Sequence, residues 1–169
     1  MNLLTAVTFL PLAGALVLAL VPRDEARQHR ALAFLFSLAT FLVSLGLWAG
    51  FDASPAAPEF QFEQNVPWVK SIGIGYHVGL DGVALLLVLL TTVLGPIVIL
   101  SAWKAVEERV KEFMIAVLVL ETAMIGTFAA LDLVLFYVFW EAMLIPMYFI
   151  IGLWGGQERV YAAVKFFLY

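Results

Sequence analysis

Apolar residues along this chain of 169 residues fall into long runs that are separated by polar segments. A helix needs about 20 mostly apolar residues to cross roughly 30 Å of hydrocarbon. Five runs meet this length, at about 2–21, 31–51, 82–103, 113–131 and 133–154. A sixth, incomplete run covers 160–169, so we expect a portion of a longer protein. The pattern predicts an all-α integral membrane fold, a transmembrane helix bundle with a single domain over 1–169.

The longest polar interval, 52–81, is predicted to be an outer loop. Within it, EFQFEQ (59–64) alternates polar and apolar residues, and SIGIGYHVG (71–79) carries spaced glycines. Such alternation is typical of strands. We therefore expect two short strands or a hairpin lying on the membrane surface.

Lysine and arginine predict the orientation of the helices. The intervals 23–30, 104–112 and 155–159 carry Arg23, Arg27, Arg30, Lys104, Arg109, Lys111 and Arg159. The outer loop carries only Lys70, against Asp52, Glu59, Glu63 and Asp81. If the five helices alternate in direction, the three basic intervals share one side, and basic loops stay in the cytoplasm. The sequence thus predicts a multi-pass protein of the bacterial inner membrane with its N-terminus in the periplasm.

Composition supports lipid as the solvent and narrows the partners. The chain is 64% hydrophobic and 13% charged, whereas soluble domains average about a quarter charged. A net charge of −4 without a basic stripe argues against nucleic acid. The chain has no cysteine, which argues against Fe–S clusters. His29 and His77 fall outside the apolar runs, so haem is not expected, and the sequence predicts no metal or cofactor site in this chain.

Two acids within the apolar runs are the candidate functional residues. Glu141 is the ninth residue of the fifth run, near the centre of the span, and Glu121 lies near the middle of the fourth. An acid at that depth costs about 2.5–3.5 kcal/mol on insertion scales, so intramembrane carboxylates are functional candidates by default. The alternative for Glu141 is a protonated side chain that hydrogen-bonds a neighbouring helix. The alternative for Glu121 is pairing with the hydroxyls of Thr122 or Thr127, or contact with another subunit.

Pro146 and Lys165 could complete such a site. Pro146 cannot donate to the carbonyl of Ala142, one residue after Glu141, so the pair predicts a polar gap at mid-membrane depth, unless it is an ordinary kink. Lys165 lies in the sixth run, where it either extends to the membrane surface or pairs with a carboxylate.

The remaining polar positions favour structure. Asp81 and Asp132 each precede a run and are predicted to cap the N-termini of the third and fifth helices. The first three runs carry no internal charge and are expected to form scaffold.

Three segments carry a resemblance to a known family. YHVGLDGVALLLVLLT (76–91), ALDLVLFYVFWEAMLIPMYFIIGLWGG (130–156) and AAVKFFLY (162–169) resemble the subunit M family of bacterial respiratory complex I, NADH-quinone oxidoreductase. That family corresponds to chain 4 of the mitochondrial enzyme and is similar to the large subunits of Mrp-type sodium/proton antiporters.

The resemblance implies an antiporter-like bundle of about 14 helices, of which this chain holds the first five and part of a sixth. It implies a subunit that translocates protons while the complex passes electrons from NADH to quinone. FMN, the Fe–S clusters and the quinone site would lie in other subunits, which are the expected partners together with neighbouring antiporter-like subunits and the bilayer. Glu141 matches the glutamate of helix five and Lys165 a lysine of helix six. The lysine of helix seven that pairs with this glutamate in the family would lie beyond Tyr169.

Two alternatives stay open. The chain could be part of an Mrp-type antiporter subunit that exchanges Na⁺ for H⁺. It could also be a structural or assembly protein without a transport role, in which case Glu141 and Lys165 would be dispensable.

Overall fold

The structure is a computed structural model that describes residues 2–23, 25–69 and 73–168; Lys70, counted among the outer-loop charges, and Tyr169 lie outside the described residues. Its elements are α1 Leu3–Leu20, α2 Ala26–Ala49, β1 Gln61–Val69, β2 Ile74–Leu80, α3 Gly82–Ala105, α4 Val110–Ala129, α5 Leu133–Trp154 and α6 Arg159–Leu168. The helices α1 to α5 are long and apolar enough to cross a membrane. The chain is therefore a mostly helical integral membrane protein with one hairpin between α2 and α3.

Helix α2 begins five residues earlier than the hydrophobic run. It includes Arg27, Gln28 and Arg30, and it buries His29 completely. The predicted start of the second helix at residue 31 is therefore wrong, and His29 lies within α2 although it is outside the apolar run. Hydropathy marks where hydrocarbon begins, whereas Ala, Arg and Gln are good helix formers and extend the helix beyond it.

Helix α4 is the centre of the bundle and α5 lies at its margin. α4 contacts α1, α2, α3 and α5, whereas α6 packs against α5. In the most apolar stretch, 61% of the residues of α4 are buried but only 17% of those of α5. Much of α5 therefore presents apolar side chains outward.

Two glycines allow phenylalanine rings to pack between neighbouring helices. A methyl group on Gly14 of α1 would lie 2.6 Å from Cγ of Phe36 on α2, and one on Gly126 of α4 would overlap the ring of Phe139 on α5. Such distances are far below van der Waals contact. Small residues let helix backbones approach closely, which matters in lipid because dispersion contacts contribute much of helix association.

The hairpin predicted in the outer loop is present. β1 and β2 pair antiparallel, with Val66 opposite Tyr76. Val78 and Leu80 of β2 are completely buried, and the backbone N–H of Leu131, between α4 and α5, donates to His77 O at 2.9 Å. The hairpin therefore packs on the end of the bundle where α3 and α5 begin.

A short polar cluster joins this hairpin to α1. The Thr5 hydroxyl donates to Gln64 Oε1 at 2.7 Å and lies 3.1 Å from the hydroxyl of Tyr76, while the Asn2 side-chain amide donates to Phe62 O. Burial raises the pKa of the Tyr76 phenol, so the hydroxyl stays protonated at neutral pH. The hydrogen bonds fix the start of α1 against the hairpin.

Gly126→Ala tests the close packing of α4 and α5. The added methyl group would overlap the Phe139 ring, so we expect the complete assembled protein to lose about 1–3 kcal/mol of stability by overpacking. Thermal unfolding in detergent measures the loss. Gly156→Ala is the matched control, because nothing lies within 4 Å of its position. Equal stability of the two variants would contradict this packing.

Candidate functional site

Glu121 is buried where α2, α3 and α4 meet. Its side chain is only 4% exposed, and its Oε2 accepts a hydrogen bond of 2.9 Å from the hydroxyl of Ser37 on α2. The sequence suggested Thr122 or Thr127 as the partner of Glu121, but the partner is Ser37. Thr127 donates to the carbonyl of Ala123 in its own helix, and the buried Thr122 hydroxyl has no partner among the described residues.

Gly95 of α3 makes room for this hydrogen bond. A methyl group at this position would lie 2.8 Å from Glu121 Oε1 and would overlap the Ser37 hydroxyl. The absence of a side chain therefore lets the polar groups of α2 and α4 meet beside the backbone of α3. No sequence signal marks this position, because glycine and proline are both common in membrane helices and Gly95 stands beside Pro96.

The second carboxylate oxygen of Glu121 differs from the first in its hydrogen bonding among the described residues. Oε1 has no hydrogen-bond partner in the described part of the chain. Glu121 and Gly95 line a groove of about 310 Å³ between α3 and α4 that extends to Ile150 of α5. Ser37 thus holds Oε2 by a hydrogen bond, and the carboxyl group as a whole lines the groove.

The buried face of α2 is polar, although its apolar run carries no charge. Ser37, Thr40 and Ser44 recur at helical spacing along it and are each 0% exposed. Thr40 donates to Phe36 O, whereas Ser44 lies 2.8 Å from the hydroxyl of Thr92 on α3. The expectation that the first three helices form scaffold stays a prediction, but α2 and α3 are joined by polar as well as apolar contacts. The helical spacing of these hydroxyls is the signal in the sequence that marks this buried face.

Glu141 lies in the outward part of the bundle. It is half-buried, eight residues or about 12 Å from the start of α5, and one helical turn after Tyr137. Leu133, Tyr137 and Ile145 on the same helix are more than half exposed. The surface of α5 on either side of Glu141 is therefore largely not covered by the other described helices.

Pro146 lies in an apolar environment rather than in a polar gap. α5 continues as one helix through it, and Pro146 lines a groove with Ile115 and Val119 of α4 and Phe149 of α5. Glu141 does not line this groove. Glu141 and Pro146, which the sequence predicted to form one polar gap, therefore do not line the same groove.

Lys165 is exposed on α6 and lies over the ring of Tyr161, 5.8 Å from its centre. Within the part of the chain that the structure describes, its ammonium forms no salt bridge with an acid. Its predicted pairing with a carboxylate is not made by these residues.

Asp81 and Asp132 occupy the N-cap positions of α3 and α5. Asp81 Oδ1 accepts from the backbone N–H of Ala84 at 2.6 Å, and Asp132 Oδ1 accepts from that of Leu135 at 2.9 Å. These bonds satisfy N–H groups that the first turn leaves free.

Three basic residues donate hydrogen bonds to carbonyls at the C-terminal ends of α1, α3 and α5. Lys111 donates to Ala19 O at 2.8 Å and to Val21 O at the end of α1. Arg30 donates to Val106 O at the end of α3, and Arg159 to Leu153 O in the last turn of α5. Cations at helix C-termini satisfy free carbonyls and oppose the helix dipole.

Asp132→Ala tests the cap of α5. We expect a loss of about 1 kcal/mol, because the Leu135 N–H loses its acceptor, whereas Asp132→Asn should stay near wild type because asparagine is an equally good cap. Thermal unfolding of the assembled protein compares the two. If alanine and asparagine behave alike, the carboxylate is not serving as a cap.

Comparison with known proteins places these residues in a family context. Residues 130–169 match the family described as NADH:quinone oxidoreductase/Mrp antiporter, TM. The chain is 57% identical to NADH-quinone oxidoreductase subunit M of Rhodobacter capsulatus, over 99% of this chain and 33% of the relative. It is 44% identical to NADH-ubiquinone oxidoreductase chain 4 of Arabidopsis thaliana, over 98% of this chain and 33% of that one.

Solved structures agree. The chain matches respiratory complex I from Thermus thermophilus with bound NADH at a TM-score of 0.79 and 31% identity, over 98% of this chain and 32% of that one. It matches the membrane-bound sulfane sulfur reductase, an archaeal respiratory membrane complex, at a TM-score of 0.74 and 18% identity, over 99% of this chain and 25% of that one, which supports the fold alone. The chain spans about a third of the length of the curated relatives it matches, and over that third it is homologous to the subunit M and chain 4 family of respiratory complex I.

Proposed function

We propose that this chain is part of a proton-translocating membrane-arm subunit of NADH:quinone oxidoreductase. The observation that carries the proposal is an acid, Glu141, in the middle of a membrane-crossing helix, within the segment that matches the family. Relatives that are 57% and 44% identical carry the names of complex I subunits, which supports the assignment.

Glu141 is proposed to exchange the proton. A carboxyl group in a medium of low dielectric responds strongly to a nearby cation, because the cation favours the ionised form and its withdrawal favours the neutral form. The largely uncovered surface of α5 leaves room for a further helix to bring such a cation, and the lysine on helix seven of the family is our candidate. Lys165 and Glu121 are proposed as additional groups on the proton path.

The rest of the machinery is proposed to lie in other subunits. The chain would take its driving force from electron transfer elsewhere in the complex, where FMN, the Fe–S clusters and quinone are bound. Its partners would be neighbouring antiporter-like subunits, other membrane subunits and peripheral subunits. The three basic intervals support a bacterial inner membrane location with the N-terminus in the periplasm.

Glu141→Gln in the intact complex is the test of this proposal. Glutamine keeps the size and polarity of the side chain but cannot release a proton, so we expect proton pumping to be abolished. Proton uptake into inverted membrane vesicles, with NADH as substrate, gives the measurement. Glu158→Gln is the control, because Glu158 is an exposed residue between α5 and α6. Normal pumping by an assembled Glu141→Gln complex would refute the assignment.

An Mrp-type antiporter subunit is the second candidate, because the matched family includes both classes. It predicts Na⁺-driven proton movement in vesicles without NADH, and co-purification with other antiporter subunits. Proton movement that needs NADH and is indifferent to Na⁺ would exclude this candidate.

A further inference from the structure

We propose that Glu121, Ser37 and Gly95 form a second proton-binding site, built from α4, α2 and α3 and separate from Glu141. The inference rests on the proposed proton-translocating function, because it assigns another place where the translocated proton is held. Ser37 is the new positioning residue and Gly95 provides the space that the site requires.

The Ser37 hydroxyl can serve both protonation states of the carboxyl group. It donates to Oε2 when the group is ionised, as the distance of 2.9 Å allows, and after rotation it can accept from a protonated Oε2 because a hydroxyl is both donor and acceptor. No lysine, arginine or histidine of the described chain lies within salt-bridge distance of Glu121. The carboxyl is therefore not fixed in the ionised form by a cation.

The two oxygens of the carboxyl group differ in their hydrogen bonds. Oε2 is held by α2, whereas Oε1 has no partner among the described residues, and the carboxyl group lines the groove between α3 and α4. A buried polar atom without a partner in a native protein calls for an explanation, and exchange with water is one that suits an acid. In this proposal the groove brings water or a proton to the carboxyl group, and the buried Oε1 is the atom left to receive the proton while Ser37 holds Oε2 in place.

The site lies near the depth of Glu141. The contact between Gly126 and Phe139 sets α4 and α5 in antiparallel register, so Glu141, two residues past Phe139, is level with Met124. Met124 is three residues from Glu121, or about 4.5 Å along the helix axis. Met124 and Ile150 of α5 both line the groove beside Glu121. The two acids thus lie at similar depth on adjacent helices, as is expected of two groups that bind the same translocated proton in turn.

The test compares Ser37→Ala with Ser44→Ala in the intact complex. Both residues are completely buried serines of α2, but Ser44 pairs with Thr92 and not with an acid. We expect Ser37→Ala to lower the rate of NADH-driven proton pumping by about threefold or more, the scale by which one lost hydrogen bond changes an equilibrium or rate constant. Ser44→Ala should pump as wild type. Equal pumping by the two variants would overturn the role of Ser37.

Gly95→Ala is a second, independent variant. Its methyl group would separate Ser37 from Glu121, so we expect the same loss as for Ser37→Ala, whereas Gly82→Ala, with nothing within 4 Å, should have no effect. Normal pumping by assembled Gly95→Ala would overturn the requirement for space at this position.

An infrared measurement separates this inference from the proposed function. During NADH turnover, we expect a carboxylic acid C=O band that Glu121→Gln removes and that Ser37→Ala moves to higher frequency by removing a hydrogen bond. If no such band exists while Glu141→Gln abolishes pumping, the second site is wrong and the proposed function stands. If the band is present while Glu141→Gln pumps normally, the site stands and the role of Glu141 falls.

Discussion

A carboxyl group that is buried among helices in a membrane needs a hydrogen-bond partner, and in this protein the partner comes from another helix. Ser37 of α2 reaches Glu121 of α4 across the backbone of Gly95 on α3. An unsatisfied group of this kind costs several kcal/mol in hydrocarbon. The requirement therefore constrains the relative rotation of three helices, since turning α2 or α4 would separate Ser37 from Glu121 and turning α3 would move Gly95 away from the space they need. α4, the most buried helix, is the one that carries the acid.

Away from the hydrogen bond between Ser37 and Glu121, the helices are held in place by the packing of complementary side-chain shapes. Phe36 of α2 packs against Gly14 of α1 and Phe139 of α5 against Gly126 of α4, so an aromatic ring fills the space that a glycine leaves in each of these two helix pairs. These contacts are directional because a ring fits such a space in few orientations. Hydrogen bonds between buried polar groups and the packing of aromatic rings thus act together, which explains how helices with mostly apolar surfaces acquire one arrangement.

Much of the fold could be predicted from the sequence, because crossing a membrane requires long apolar runs that any observer can count. Five apolar runs, a hairpin and two aspartate caps could be read in this way. The start of α2 was misplaced because helix propensity extends beyond the hydrocarbon region. Ser37 and Gly95 were not found, because their importance depends on which helices are neighbours, and a single sequence carries no information about pairing. The isolation of Pro146 from Glu141 has the same origin, since residues five apart on a helix point in different directions.

The basic residues at the ends of the odd-numbered helices have a consequence for experiments on topology. Lys111, Arg30 and Arg159 are among the basic residues from which the orientation of the chain is predicted. Each also donates a hydrogen bond to a carbonyl at the C-terminal end of a different helix. Neutralising them to invert the insertion would simultaneously loosen three helix ends. A change of orientation and a defect in assembly would then be confounded in such mutants. Arg27 and Lys104, which the described hydrogen bonds leave out, are the better positions at which to alter charge alone.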